Sequence, residues 1–199
     1  MTRILLASLA LLSFGWSRPP SARPIFRYLT VGSHRIQFDA PAAVAAFSNV
    51  SRVLGAKSAA EEDVDPVPTT CYLLKGPAPH MVLAFYGDPM GSGGLTDFDL
   101  APASRKPELV GKCARLDISP KQVVTDRGVK LGMTRDEVEE LIGTSRRAID
   151  GQPIYEVTEE RKLKLADGTT ATEEISSSIT ITYRNRIVVA FSGGISESD

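Results

Sequence analysis

From residue 128 onward, apolar and polar positions follow first a helical and then a strand period. Val138, Leu141 and Ile142 stand at i, i+3 and i+4, which places three apolar side chains on one face of a short helix. Both ends of that helix are specified. Thr134 sits where an N-cap accepts from the amide three residues on, and Glu137 can reach back to the Thr134 amide, the reciprocal pair of a capping box. Met133 and Val138 hold the two staple positions, and Gly143 stands where a left-handed residue stops the helix. A second helix is predicted over residues 39–55, with Pro41 in its first turn, an apolar stripe of Ala43, Phe47, Val50 and Leu54, and Gly55 as its stop. Each helix is followed by strand-like segments: residues 71–74, 81–86 and 95–100 after the first, and 154–159, 179–184 and 187–191 after the second. In the last set Ile179, Ile181 and Tyr183 share one face while Thr180, Thr182 and Arg184 share the other, so one face is largely apolar and one is wet. Asp167-Gly168 and Asn185-Arg186 read as turns. Leu163 joins the Ile179 face only if the Asp167-Gly168 turn adds an odd residue.

Val50, Val53, Leu54 and Gly55 match Val138, Leu141, Ile142 and Gly143 at one constant offset. Val-x-x-Leu-Gly is also what any amphipathic helix ending in glycine looks like, so duplication and coincidence both fit. The expectation is an α+β fold, a helix segment packed on an antiparallel sheet, in two tandem units of residues 24–101 and 108–194. Residues 102–107, with a proline at each end, read as the linker. Residues 113–124 read as the leading strand of the second unit.

The run from Gly128 through Leu131-Gly132-Met133-Thr134 to Glu137-Val138 and Leu141-Ile142-Gly143 resembles the helix signature of small envelope domains such as the outer-membrane assembly lipoprotein BamE (SmpA/OmlA) and the β-lactamase inhibitory protein-like fold. The resemblance covers that run and the strands after it, less than half the chain. It implies a helix followed by an antiparallel sheet, used for protein contact and not for catalysis. No cysteine follows the N-terminal apolar run, so the lipid attachment of such lipoproteins is missing.

Composition narrows the class. With 199 residues, 42% hydrophobic and 24% charged, the chain is globular in character. Lys+Arg 23 against Asp+Glu 24, with no dense basic run, gives no source for nucleic-acid binding. Arg3 precedes a mostly apolar stretch over residues 4–16, too short for the roughly 20 residues that span a bilayer. Residues 1–17 are therefore expected to be a signal peptide, cleaved after Gly15 or Ser17; an uncleaved anchor or a buried N-terminal helix is the alternative. A periplasmic or secreted protein with no membrane span after cleavage follows. Cys71 and Cys113 are the two cysteines, and an oxidising compartment favours joining them, against the alternative of two buried thiols.

Candidate chemistry is sparse. His34 and His80 are the two histidines, without metal-ligand spacing. Residues 87–94 are glycine-rich but lack the Gly-Lys-Ser/Thr end of a phosphate loop, and read as a hairpin loop. Asp97 with Asp99, and Asp63 with Asp65, are paired carboxylates without the rest of a calcium loop, and read as solvated acids. No Gly-x-Ser-x-Gly elbow surrounds any serine. Asn49-Val50-Ser51 fits a glycosylation acceptor within the first helix. No catalytic residue, cofactor or metal site is assigned. The expected function is a non-catalytic, exported protein-binding module of the cell envelope or secretome, with Thr180, Thr182 and Arg184 as its binding face. An envelope hydrolase with a site between the two units is the alternative.

Overall fold

The computed structural model describes residues 25–38, 48–55, 67–76, 80–88, 94–145, 147–164 and 168–198. In chain order its elements are β1 (Tyr28–Val31), β2 (His34–Gln37), α1 (Ser48–Leu54), β3 (Thr69–Leu74), β4 (Met81–Gly87), β5 (Leu95–Pro102), α2 (Pro107–Val110), β6 (Ala114–Leu116), β7 (Val123–Thr125), α3 (Arg135–Ile142), β8 (Arg147–Ile149), β9 (Gln152–Lys164), β10 (Thr170–Arg184) and β11 (Ile187–Ser198). They form two sheets, one of three strands ordered β2-β1-β7 and one of eight ordered β6-β3-β4-β5-β11-β10-β9-β8. All pairings are antiparallel except β3 with β6.

This corrects the expected α+β class of a helix packed on a sheet in two tandem units: the protein is sheet-dominated. Its helices run only four to eight residues, too short to bury a layer, and strand faces supply most of the core. Nor do the two halves keep separate sheets. The open edge of β5 is satisfied by β11, with Leu100 opposite Phe191 and Phe98 opposite Gly193. Residues 113–124 do not lead a second unit; β6 lies beside β3, and β7 crosses to pair with β1.

One face of the eight-stranded sheet carries Tyr72, Leu83, Phe85, Phe98, Leu100, Phe191, Ile179 and Ile181, all at or below 1% exposure. Against it pack the small sheet, through Leu29, Val31, Ile36 and Val123, and the helices, through Val50 and Val138, in one continuous apolar core. The period-two alternation of β10 explains its part: residues 175, 177, 179 and 181 face inward and are buried. Ser177 is tolerated there because its hydroxyl accepts from the Ile25 amide at 2.9 Å. In the β9–β10 hairpin Lys164 is opposite Thr170 and Tyr155 opposite Ile179, so a five-residue connection supplies the odd residue that sets odd positions against odd ones. Asn185 and Arg186 both take positive φ, 51° and 63°, the backbone of a two-residue hairpin turn whose twist matches its strands.

Helix α3 has the ends its sequence specifies. The Glu137 amide donates to Thr134 Oγ1 at 3.2 Å, and the Thr134 amide donates to Glu137 Oε2 at 2.6 Å. That bond from the Thr134 amide holds the Glu137 carboxyl below the usual carboxylate range. Gly143 has φ 83°. Val138 is fully buried and Ile142 packs against the core, but Leu141 is 41% exposed, so the apolar stripe is narrower than its spacing implies. Residues 132–134 add to the edge of β11, with the Val188 amide donating to Met133 O at 2.8 Å and the Gly132 amide to Val188 O at 3.0 Å. Thr134→Ala should cost about 1 kcal/mol through the orphaned amide and Val138→Ala about 1 to 3 kcal/mol through the cavity. Urea midpoints of the two variants rank them, and a neutral Val138→Ala would remove Val138 from the core. Of the helix expected over residues 39–55, α1 accounts for 48–54, with Val50 and Leu54 buried; Ala43 and Phe47 lie outside the described residues.

Candidate functional site

The second face of the large sheet is divided. At one end Cys71, Val82 and Ala84 form a small buried cluster with Leu109 and Cys113 packed on it. Cys71 and Cys113 are joined in a disulfide, with Cα atoms 4.7 Å apart. What lays this cover down is the chain leaving β5. Pro102 ends the strand, a 3-10 turn spans Ala103–Arg105, and Pro107 opens α2. Two prolines fix φ on either side of Arg105 and Lys106, so the backbone must leave the ladder and double back over the face. The stretch read as a linker is a rigid strap.

Beside the strap lies a depression of about 240 Å³. Asp99, Arg105, Lys106, Gln152, Thr180, Thr182 and Ser192 line it. The registers account for the assembly: Asp99 is opposite Ser192, Ser192 opposite Thr180, and Thr182 opposite Ala190. Side chains directly opposite point to the same side. Lys106 Nζ lies 2.8 Å from Asp99 Oδ2 and donates to Tyr86 Oη at 3.2 Å. Partial burial alone would lower the Lys106 ammonium, but Asp99 and Tyr86 more than offset it and hold its pKa above the ordinary lysine value. Burial likewise raises the Tyr86 phenol, with Lys106 pulling the other way. Both groups therefore keep one protonation state at neutral pH: Lys106 a cation, Tyr86 neutral. Arg105 differs. Its Nη1 donates to Thr182 Oγ1 at 3.2 Å, and Thr182 in turn donates to Gln152 Oε1 at 3.0 Å. Among the described residues the Arg105 guanidinium meets no carboxylate.

Of the expected binding face, Thr180 and Thr182 line this depression and Arg184 is exposed two residues further along β10. Arg105, Lys106 and Gln152 were not legible as site residues from the sequence; the signal available was a basic pair between two prolines, which is the pattern of a fixed turn. Asp99 is engaged by Lys106 and is not a solvated acid, while Asp97 lies against Gly194. Asp63, Asp65 and residues 89–93 lie outside the described residues. His34 belongs to the small sheet and His80 lies just before β4 in the large one, so the fold does not gather them. His80 borders a second depression of about 480 Å³ with Lys75, Arg115, Leu116 and Asp117; there Lys75 and Asp117 pair at 2.7 Å, both exposed. Among the described residues, no group of three or more His, Cys, Asp or Glu is placed to hold a metal ion, and no helix is long and apolar enough to cross a membrane.

No protein-family model, curated protein or solved structure matches this chain.

Proposed function

We propose that the protein is an exported, non-catalytic binding module of the cell envelope or secretome that engages a protein partner through the polar face of its large sheet. The observation that carries this reading is the part of that face that no described residue covers, where polar side chains from β5, β9, β10 and β11 converge with Arg105 around a depression. Partner-binding surfaces commonly surround such a pocket with hydrogen-bonding groups. The Cys71–Cys113 bond supports an oxidising compartment, periplasmic or extracellular, and so does the charged-then-apolar N-terminal sequence. The helix signature over residues 128–143, with its resemblance to BamE-like and inhibitory-protein-like envelope domains, points the same way. The hydrolase alternative draws less support, because His34 lies on β2 of the small sheet while His80 precedes β4 of the large one, and neither makes a side-chain hydrogen bond among the described residues.

Cross-linking capture from the native envelope tests the reading. Arg184→Ala, at an exposed position, should move stability by no more than about 0.5 kcal/mol, and Thr182→Ala, which gives up its hydrogen bonds to Arg105 and Gln152, by about 1 kcal/mol; the double variant should stay folded and reduce capture of the wild-type partner at least tenfold. The intact mass of the same preparation should report a chain starting between Trp16 and Arg23. A double variant that unfolds yet still captures at low temperature gives the face a structural role and overturns the proposal.

A further inference from the structure

We infer that the depression beside the strap receives an acidic side chain of the partner polypeptide, with Arg105 as the main donor to its carboxylate. This rests on the polar-face reading and adds the chemistry of what binds.

The lining holds two cations and one acid, and the acid is already paired: Asp99 is taken by Lys106 at 2.8 Å. Among the described residues that leaves Arg105 as the lining charge without a counter-ion. A guanidinium offers five N–H donors in a planar fork suited to a carboxylate. Here a single neutral hydroxyl, that of Thr182, accepts from it among the described residues. Around it the hydroxyls of Thr180 and Ser192 line the same space and make no side-chain hydrogen bond within the described residues. The lining thus presents a fork and two unengaged hydroxyls, a donor set that a carboxylate completes.

Charge outside the depression favours a polypeptide over a free small anion. Arg147 on β8 is opposite Ile154, which is opposite Thr180, and Arg184 shares the face by the alternation of β10. Both are exposed and add positive charge to the face on which Arg105 lines a space of about 240 Å³, smaller than the roughly 300 Å³ at which small-molecule pockets begin but adequate for one side chain. The same face turns acidic along the sheet, where Asp97 is opposite Gly194, Gly194 opposite Ser178, and Ser178 opposite Glu156. A continuous phosphate backbone crossing the sheet would run onto those carboxylates, whereas a segment with one or two acidic residues would not.

Amide and guanidinium NMR of the mature protein, titrated with the acetylated and amidated peptide Gly-Glu-Gly-Glu-Gly, tests this, because side-chain carboxylates are then the only anions. Shifts should localise to Arg105, Thr180, Thr182 and Ser192. The Gln counterpart of the peptide should bind at least tenfold more weakly, Arg105→Ala should lose at least tenfold in affinity at unchanged melting temperature, and Arg105→Lys should retain part of it. Equal binding by Arg105→Ala, or tighter binding of a free C-terminal carboxylate or a short oligothymidylate, overturns the inference. If partner capture depends on Thr182 and Arg184 while the acidic peptide fails to bind, this inference fails and the polar-face reading stands. If the peptide shifts these residues but capture ignores them, the polar-face reading fails.

Discussion

Gly193→Val should destabilise the protein by about 3 kcal/mol or more, and Gly193→Ala by about 1 to 3, the usual range for overpacking a filled core. A Cβ at this position would come within 2.9 Å of Phe26 Cε1, Phe98 Cε1 and Ser178 O. Two of those atoms belong to rings packed edge to face, with centroids 5.5 Å apart, and the third is the backbone of the neighbouring strand. None can withdraw without breaking another contact. Strand propensity pulls the other way, since glycine weakens a strand, but that preference spans only about 1 kcal/mol and loses to the clash. Gly111→Ala is the control: it has φ −75° and nothing within 4 Å of the added carbon, so its effect should stay within about 0.5 kcal/mol. Urea unfolding of the three variants measures the ranking, and a stabilised Gly193→Ala would show that the aromatic cluster is looser than described.

Removing the disulfide should have the other large effect. The bond closes a loop with a sequence separation of 42, which in the chain-entropy model contributes about 4 kcal/mol. Domains of this kind have about 5 to 15 kcal/mol in all, so Cys71→Ala with Cys113→Ala should bring the unfolding midpoint down sharply, and reductant should do the same to the wild type. Near-coincident midpoints for oxidised and reduced protein would mean that the Val82 and Ala84 cluster holds the strap in place unaided.

Much of the β structure was legible because it depends on short-range pattern. The core strands β3, β4, β5, β9, β10 and β11 all contain the segments that alternation marked, and the capping box at Thr134 and Glu137 reads directly from its spacing. Strands β1, β2 and β8 and the short helix α2 escaped. The β1–β2 hairpin turns at Gly32, with φ 63°, but its strands are only four residues each. The β8–β9 turn uses Asp150-Gly151, both at positive φ, and β8 is exposed throughout, so no apolar alternation drew notice to a strong turn dipeptide. The fold class went wrong for a different reason. Helix and strand periods are local, whereas the pairing of β5 with β11 depends on which open edges remain once each half has folded its hairpins. The candidate site shares that dependence. Thr180 and Thr182 are marked by alternation along one strand, but Arg105 reaches them only because two prolines turn the chain back across a sheet whose order no local pattern encodes.

The position of β11 also governs how the protein can fold. This last strand lies in the middle of the eight, between β5 and β10, so synthesis delivers the centre of the sheet after everything that flanks it. Until residue 187 and beyond are made, β5 keeps one unpaired edge, and Phe98 and Leu100 have their β4 neighbours but not those of β11. Topologies dominated by such distant pairings form on the order of milliseconds to seconds, long after their helices and hairpins. Until β11 is made the nascent chain therefore holds unclosed hairpins, and the eight-stranded sheet closes only when β11 docks between β5 and β10.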